Sequence, residues 1–89
     1  MLFVVTTEYV PAETERRLAA RPAHREWLAR LKEEGQLVNA GPFDDGLGAS
    51  LVFDVEDQAA LDALLAQDPL PPDAFAVVSK RAWNALFTF

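Results

Sequence analysis

The sequence predicts an α+β fold whose elements follow the order β-α-β-β-α-β. Three observations predict it. Short runs of successive apolar residues, Leu2-Phe3-Val4-Val5, Leu51-Val52-Phe53 and Val77-Val78, read as strands. Two stretches, 22–34 and 56–67, repeat apolar residues at helical spacing. Gly35, Gly41-Pro42, Asp44-Asp45-Gly46 and Asp68-Pro69 punctuate the chain where turns are needed.

The first strand spans about Leu2 to Glu8, and its apolar residues fall on both faces. Pro11-Ala12-Glu13 forms a turn, and Glu13 to Ala20 suits a short helical stretch. Pro22 should open a fresh helix or kink the existing one, because proline suits the first helical position and breaks an interior. From Pro22 to Glu34 the pattern is helical. At about 100° per residue, Ala20, His24, Trp27, Leu28 and Leu31 share one face, which makes Trp27 a core residue. Gly35 stops the helix.

Gln36 to Ala40 is the second strand, ended by Gly41-Pro42. The Asp44-Asp45-Gly46 turn returns the chain as a hairpin into a third strand, about Leu47 to Val55. Glu56 to Gln67 is the second helix, with Asp57 as N-cap and Ala60, Leu61, Leu64 and Leu65 as its apolar stripe. Asp68-Pro69 ends it. Phe75 to Leu86 reads as a long last strand. The order is that of the split β-α-β, or ferredoxin-like, arrangement: a four-stranded antiparallel sheet with two helices on one face.

With 89 residues the chain forms one domain, and so small a domain buries only about 60–65% of its unfolded surface. The chain has no cysteine and one histidine. Disulfides, thiolate metal sites and cysteine nucleophiles are excluded, as is a two-histidine metal site within one chain. A second copy, sheet against sheet, would cover the apolar sheet face that two helices leave bare, so a homodimer or higher oligomer is expected. The net charge of −6 does not attract nucleic acid or an anionic membrane. No apolar run approaches the roughly 20 residues that span a bilayer. Met1 leads into Leu2-Phe3-Val4-Val5 without a basic leader or cleavage site, so a cytoplasmic protein is expected.

His24 is the first candidate for chemistry. It falls in the first turn of a helix opened by Pro22, where the helix dipole favours a neutral imidazole able to act as general base. A packed histidine with one hydrogen bond is the plainer reading. Asp68, held outside the α region by Pro69, is either a helix-ending loop residue or a partner for His24, and spacing alone leaves open whether the two meet. Gly41 and Pro42 are a rigid turn that could line a pocket with bare backbone. Ser50 could donate a hydrogen bond to a small-molecule ligand, and Arg21 could clamp an anion. No phosphate-cradling glycine loop or dinucleotide fingerprint is present, so no cofactor is expected.

Arg21-Pro22-Ala23-His24, Glu34-Gly35, Ala40-Gly41-Pro42, Gly48 to Ser50, Asp68-Pro69 and Trp83-Asn84, taken in order, resemble the YciI-like (YCII-related) domain family over nearly the whole chain. The resemblance implies a ferredoxin-like fold that dimerises through its sheets. It also implies a pocket holding a histidine and an aspartate as a catalytic dyad, which carry over to His24 and Asp68. A few resembling enzymes eliminate chloride from chlorinated aromatic breakdown products or act on related lactones. Leu70 stands where the family usually has an aromatic residue, and Ala82 where it usually has a proline. The expected function is elimination, isomerisation or hydrolysis of a small acid, aromatic or lactone-type. The alternative is a non-catalytic ligand-binding or accessory dimer of the same fold.

Overall fold

The computed structural model describes residues 1–88. Its elements are β1 (Leu2–Tyr9), a 3-10 turn (Pro11–Glu13), α1 (Thr14–Glu33), β2 (Leu37–Pro42), β3 (Gly48–Asp54), α2 (Gln58–Leu65) and β4 (Phe75–Trp83). The four strands form one sheet in the order β2-β3-β1-β4, and each neighbouring pair is antiparallel. The order of elements is the expected one. β4 ends three residues short of the expected Leu86, and α2 is trimmed at both ends. Gly41 and Pro42, expected as a turn, instead end β2, because they pair with Ser50 and Ala49 of β3.

Alternation along β1 assigns the two faces of the sheet. Phe3, Val5 and Thr7 are buried, whereas Leu2, Val4 and Thr6 are half-buried. Phe3 lies opposite Phe53 and Val5 opposite Leu51, so these four side chains share the helix-covered face. Trp27 and Leu31 of α1 and Leu61 and Leu64 of α2 complete the same core with Leu37 and Val55. Trp27 is only 2% exposed, as the helical pattern requires. The other face presents Leu2, Val4 and Thr6 beside Val52, Ser50, Arg81 and Trp83.

Of the two outcomes expected at Pro22, a fresh helix does not occur. α1 runs 20 residues with Pro22 inside it. The missing N–H would have served the carbonyl of Leu18, and both residues are exposed, so water can take the bond that proline cannot make. The far end stops as expected. Gly35 has φ +80°, its N–H donates to the Lys32 carbonyl and the Gln36 N–H donates to that of Leu31, a Schellman closure. Asp57 caps α2 by accepting from the Ala60 N–H at 2.8 Å.

Two bulges adjust the sheet. One lies in β2 between Leu37 and Asn39, the other where β4 passes Thr6 and Thr7. The second shifts the alternation of β4. Lys80 and Ala82 share the face of Val5 and Phe3, yet Val77 and Phe75, rather than Val78 and Ala76, share the face of Thr7 and Tyr9. Ion pairs hold the periphery. Lys80 reaches Asp62 of α2 at 2.8 Å, and Arg16 of α1 bridges Glu13 and Asp73 at 3.0 and 2.8 Å.

Two outcomes are expected. A methyl group at Gly48 would fall on the carbonyl oxygen of Thr7, which is sheet backbone and cannot give way. Gly48→Ala should therefore destabilise the fold by about 1–3 kcal/mol, read from the denaturant midpoint. The Asp62 and Asp73 carboxyls are held below their ordinary value of 3.8, chiefly by side-chain hydrogen bonds from Lys80 and Arg16. Their contribution is present above the unfolded value and is lost as pH falls through the folded ones. Stability measured from about pH 5 to about pH 2 should fall less steeply in Arg16→Gln than in the wild type, by a small amount because both pairs are exposed.

Candidate functional site

α1 carries the site on the face beside its buried stripe. Because the helix is continuous, Arg17, Arg21, His24 and Leu28 fall within about 60° of one another around its axis. Trp27 and Leu31 turn the adjoining face into the core and so set the rotation of the helix. His24 lies ten residues inside α1, not in a first turn, so the expected dipole effect does not reach its ring.

What orients the imidazole is Asp68. His24 Nδ1 lies 2.7 Å from Asp68 Oδ1, with side-chain exposures of 17% and 9%. A carboxylate only accepts, so Nδ1–H is the donor and the neutral ring keeps its lone pair on Nε2. The chain around Asp68 is built for this. The Asp68 N–H donates to the Leu65 carbonyl as α2 unwinds, Pro69 stops the helix, and the Leu70 N–H donates back to Asp68 Oδ1 at 2.9 Å. This Asx turn holds the carboxylate independently of its bond to His24. Leu70 is 7% exposed and anchors the loop. The His24 ring also lies 5.9 Å from that of Trp27, centroid to centroid.

Two adjoining cavities open at this pair. The inner one, about 70 Å³, is lined by His24 and Asp68 together with Thr7, Leu70, Phe75 and Val77 among others. The outer one, about 530 Å³, is lined by His24, Arg25, Leu28, Gly41, Pro42 and Phe43 among others. Tyr9, Arg17, Arg21, Ala49 and Leu51 line both. Thus the structure brings His24, Asp68, Arg21, Gly41 and Pro42 to one cleft. It does not bring Ser50 there. Ser50 alternates with Ala49 and Leu51, lies opposite Thr6, and faces the other side of the sheet. Its expected contact with a ligand in this cleft is therefore corrected.

Arg17, Tyr9 and the β4 wall of Phe75 and Val77 were not singled out by sequence. Arg17 stands four residues before Arg21 and seven before His24, a helical spacing that a fresh helix expected at Pro22 conceals. Among the described residues, no group of three or more His, Cys, Asp and Glu converges on a metal-sized site. No helix among them is long and apolar enough to cross a membrane.

Comparison with known proteins adds to the geometry. Residues 1–84 match the YCII-related domain. Two curated relatives called protein YciI, from Escherichia coli O6:H1 and Shigella flexneri, are each 33% identical over 98 aligned positions. The alignment covers 98% of this chain and 100% of theirs. Among solved structures, the 5-chloro-2-hydroxyhydroquinone dehydrochlorinase of Burkholderia phenoliruptrix, in complex with 2,5-dihydroxybenzoquinone, superposes with a TM-score of 0.79. It is 23% identical, with 94% of each chain covered, a likeness of fold.

Proposed function

The chain belongs to the YCII-related domain family, and from that premise we propose that it is a small enzyme whose general acid–base residue is His24, oriented by Asp68. The observation that carries the reading is the 2.7 Å bond between two side chains that line the same cleft. Asp68 holds Nδ1–H, so the proton traffic runs through Nε2, and the carboxylate stabilises the imidazolium that forms when Nε2 takes a proton. The substrate class is a small cyclic acid, because the cleft sets the apolar Leu70, Phe75 and Val77 beside the cations Arg17 and Arg21; the family resemblance suggests an aromatic or lactone type.

Elimination is the reaction that asks least beyond these groups. Nε2 removes a proton from the substrate, the electron pair of that bond becomes the new π bond, and the leaving group departs with its own pair. The step is redox-neutral, so a single base suffices and no cofactor is called for. The fold neighbour is named for a loss of this type, which supports the class of reaction without fixing the substrate. Arg21 would bind the anionic end of the substrate, and the Gly41-Pro42 backbone would shape the outer wall.

The same proposal includes a second copy on the uncovered sheet face. Leu2, Val4 and Val52 are only half-buried there, and Trp83 is 41% exposed at its edge. A homodimer would cover this face and leave the cleft, on the opposite side of the sheet, free for a small molecule.

Two measurements test the proposal. Against a panel of chlorinated hydroquinones and lactone acids, His24→Ala should lower kcat by about 10²–10⁴-fold. Asp68→Asn should lower it by about 10²-fold or more, since an amide presents no charge to the imidazolium. Wild-type turnover in both variants would refute the dyad, and binding without turnover of any acid in the panel would favour the non-catalytic alternative. Sedimentation at micromolar concentration should give the mass of a dimer, and a stable monomer would refute the covered face.

A further inference from the structure

The cleft carries an unbalanced charge. Its charged lining residues are Arg17, Arg21 and Arg25 against the single carboxylate of Asp68, in a chain whose net charge is −6. Among the described residues none of the three arginines is in an ion pair, whereas Arg16 on the neighbouring face has two. Arg17 is the most constrained of the row. Its guanidinium lies 3.9 Å above the centre of the Tyr9 ring, a stacking that holds the fork in place. Its Nε–H is buried and has no hydrogen-bond partner. With Nε turned inward, the remaining N–H donors of the stacked fork, without a hydrogen-bond partner among the described residues, are left for an acceptor that arrives with the ligand.

From this geometry we infer that Arg17 is a substrate-positioning residue. With Arg21 and Arg25 it would make a row of cations that selects a small planar ring bearing a full negative charge. The inference rests on the reading of this cleft as the ligand site and adds the ligand's charge and its principal contact. The sizes agree. The inner cavity, about 70 Å³, is about half of the ~150 Å³ that encloses a benzene ring. A ring therefore cannot sink wholly inside. Its apolar edge enters between Leu70 and Val77, and its charged edge stays in the outer cleft beside the arginines. At about 1.5 Å per residue, Arg17 and Arg21 stand about 6 Å apart along α1, a span that one ring can cover.

Benzoate and its neutral counterpart benzamide are the probes, and the resonances of the only histidine, His24, report occupancy of the cleft. Benzoate should bind at least tenfold more tightly than benzamide, and added salt should narrow the difference. Arg17→Gln should weaken benzoate about tenfold or more and leave benzamide unchanged. Arg17→Lys, which keeps the charge but loses the stacked fork, should fall between and guards against a merely unfolded variant. Equal affinity for the two probes, no benzoate-dependent shift at all, or unaltered benzoate affinity in Arg17→Gln would each overturn the inference. Benzoate binding requires no turnover, so a failed cation row and a failed His24–Asp68 dyad are told apart.

Discussion

The burial of Trp27 and Leu31 against the sheet is the constraint on which the site depends. These two residues are the buried ones of α1, and they lock the rotation of a 20-residue helix over Phe3, Val5 and Phe53. Once that face is fixed, the adjoining face is fixed with it, and Arg17, Arg21 and His24 are aimed at the gap between α1 and the sheet. A helix that ended at Pro22 would have freed Arg17 from this register. Continuity through an exposed proline therefore serves the site as much as the core.

The second half of the site comes from where α2 stops. Its last turn hands the chain to Asp68, and the following proline and Asx turn hold the carboxylate in one place. Leu70 and Ala74, both buried, pin the loop from below, while Arg16 and Asp73 tie its far end back to α1. Asp68 Oδ1 thus accepts from backbone and from His24 alike. A carboxylate so constrained loses little further freedom on meeting the imidazole, which is the physical content of a pre-organised pair.

Much of this was legible in sequence because it is local. The order of elements, the stop at Gly35, the cap at Asp57 and the hairpin between β2 and β3 each depend on residues close together in the chain. The failures are non-local or turn on parity. Pro22 was weighed by its effect on an isolated helix, whereas here the helix is packed through Trp27 and Leu31 and the proline lies on its exposed side. Ser50 was judged by its chemistry rather than by its alternation with Leu51 and Phe53, and apolar Val52 on the opposite face obscured that alternation. The bulge that turns Phe75 and Val77 into the cleft leaves no simple mark in a run of valines. The meeting of His24 with Asp68, 44 residues away, was implied by family resemblance and could not be read from spacing.

The proposed function requires that Asp68 hold the Nδ1 proton of His24 and leave Nε2 as the reactive nitrogen. Nitrogen-15 NMR of the single histidine measures this directly, since the two ring nitrogens of a neutral imidazole differ widely in shift according to which one is protonated. Whenever the ring is neutral, its proton is expected on Nδ1, with that tautomer lost in Asp68→Asn when the amide presents its NH₂ group. A wild-type ring protonated on Nε2, with the same spectrum in Asp68→Asn, would contradict it.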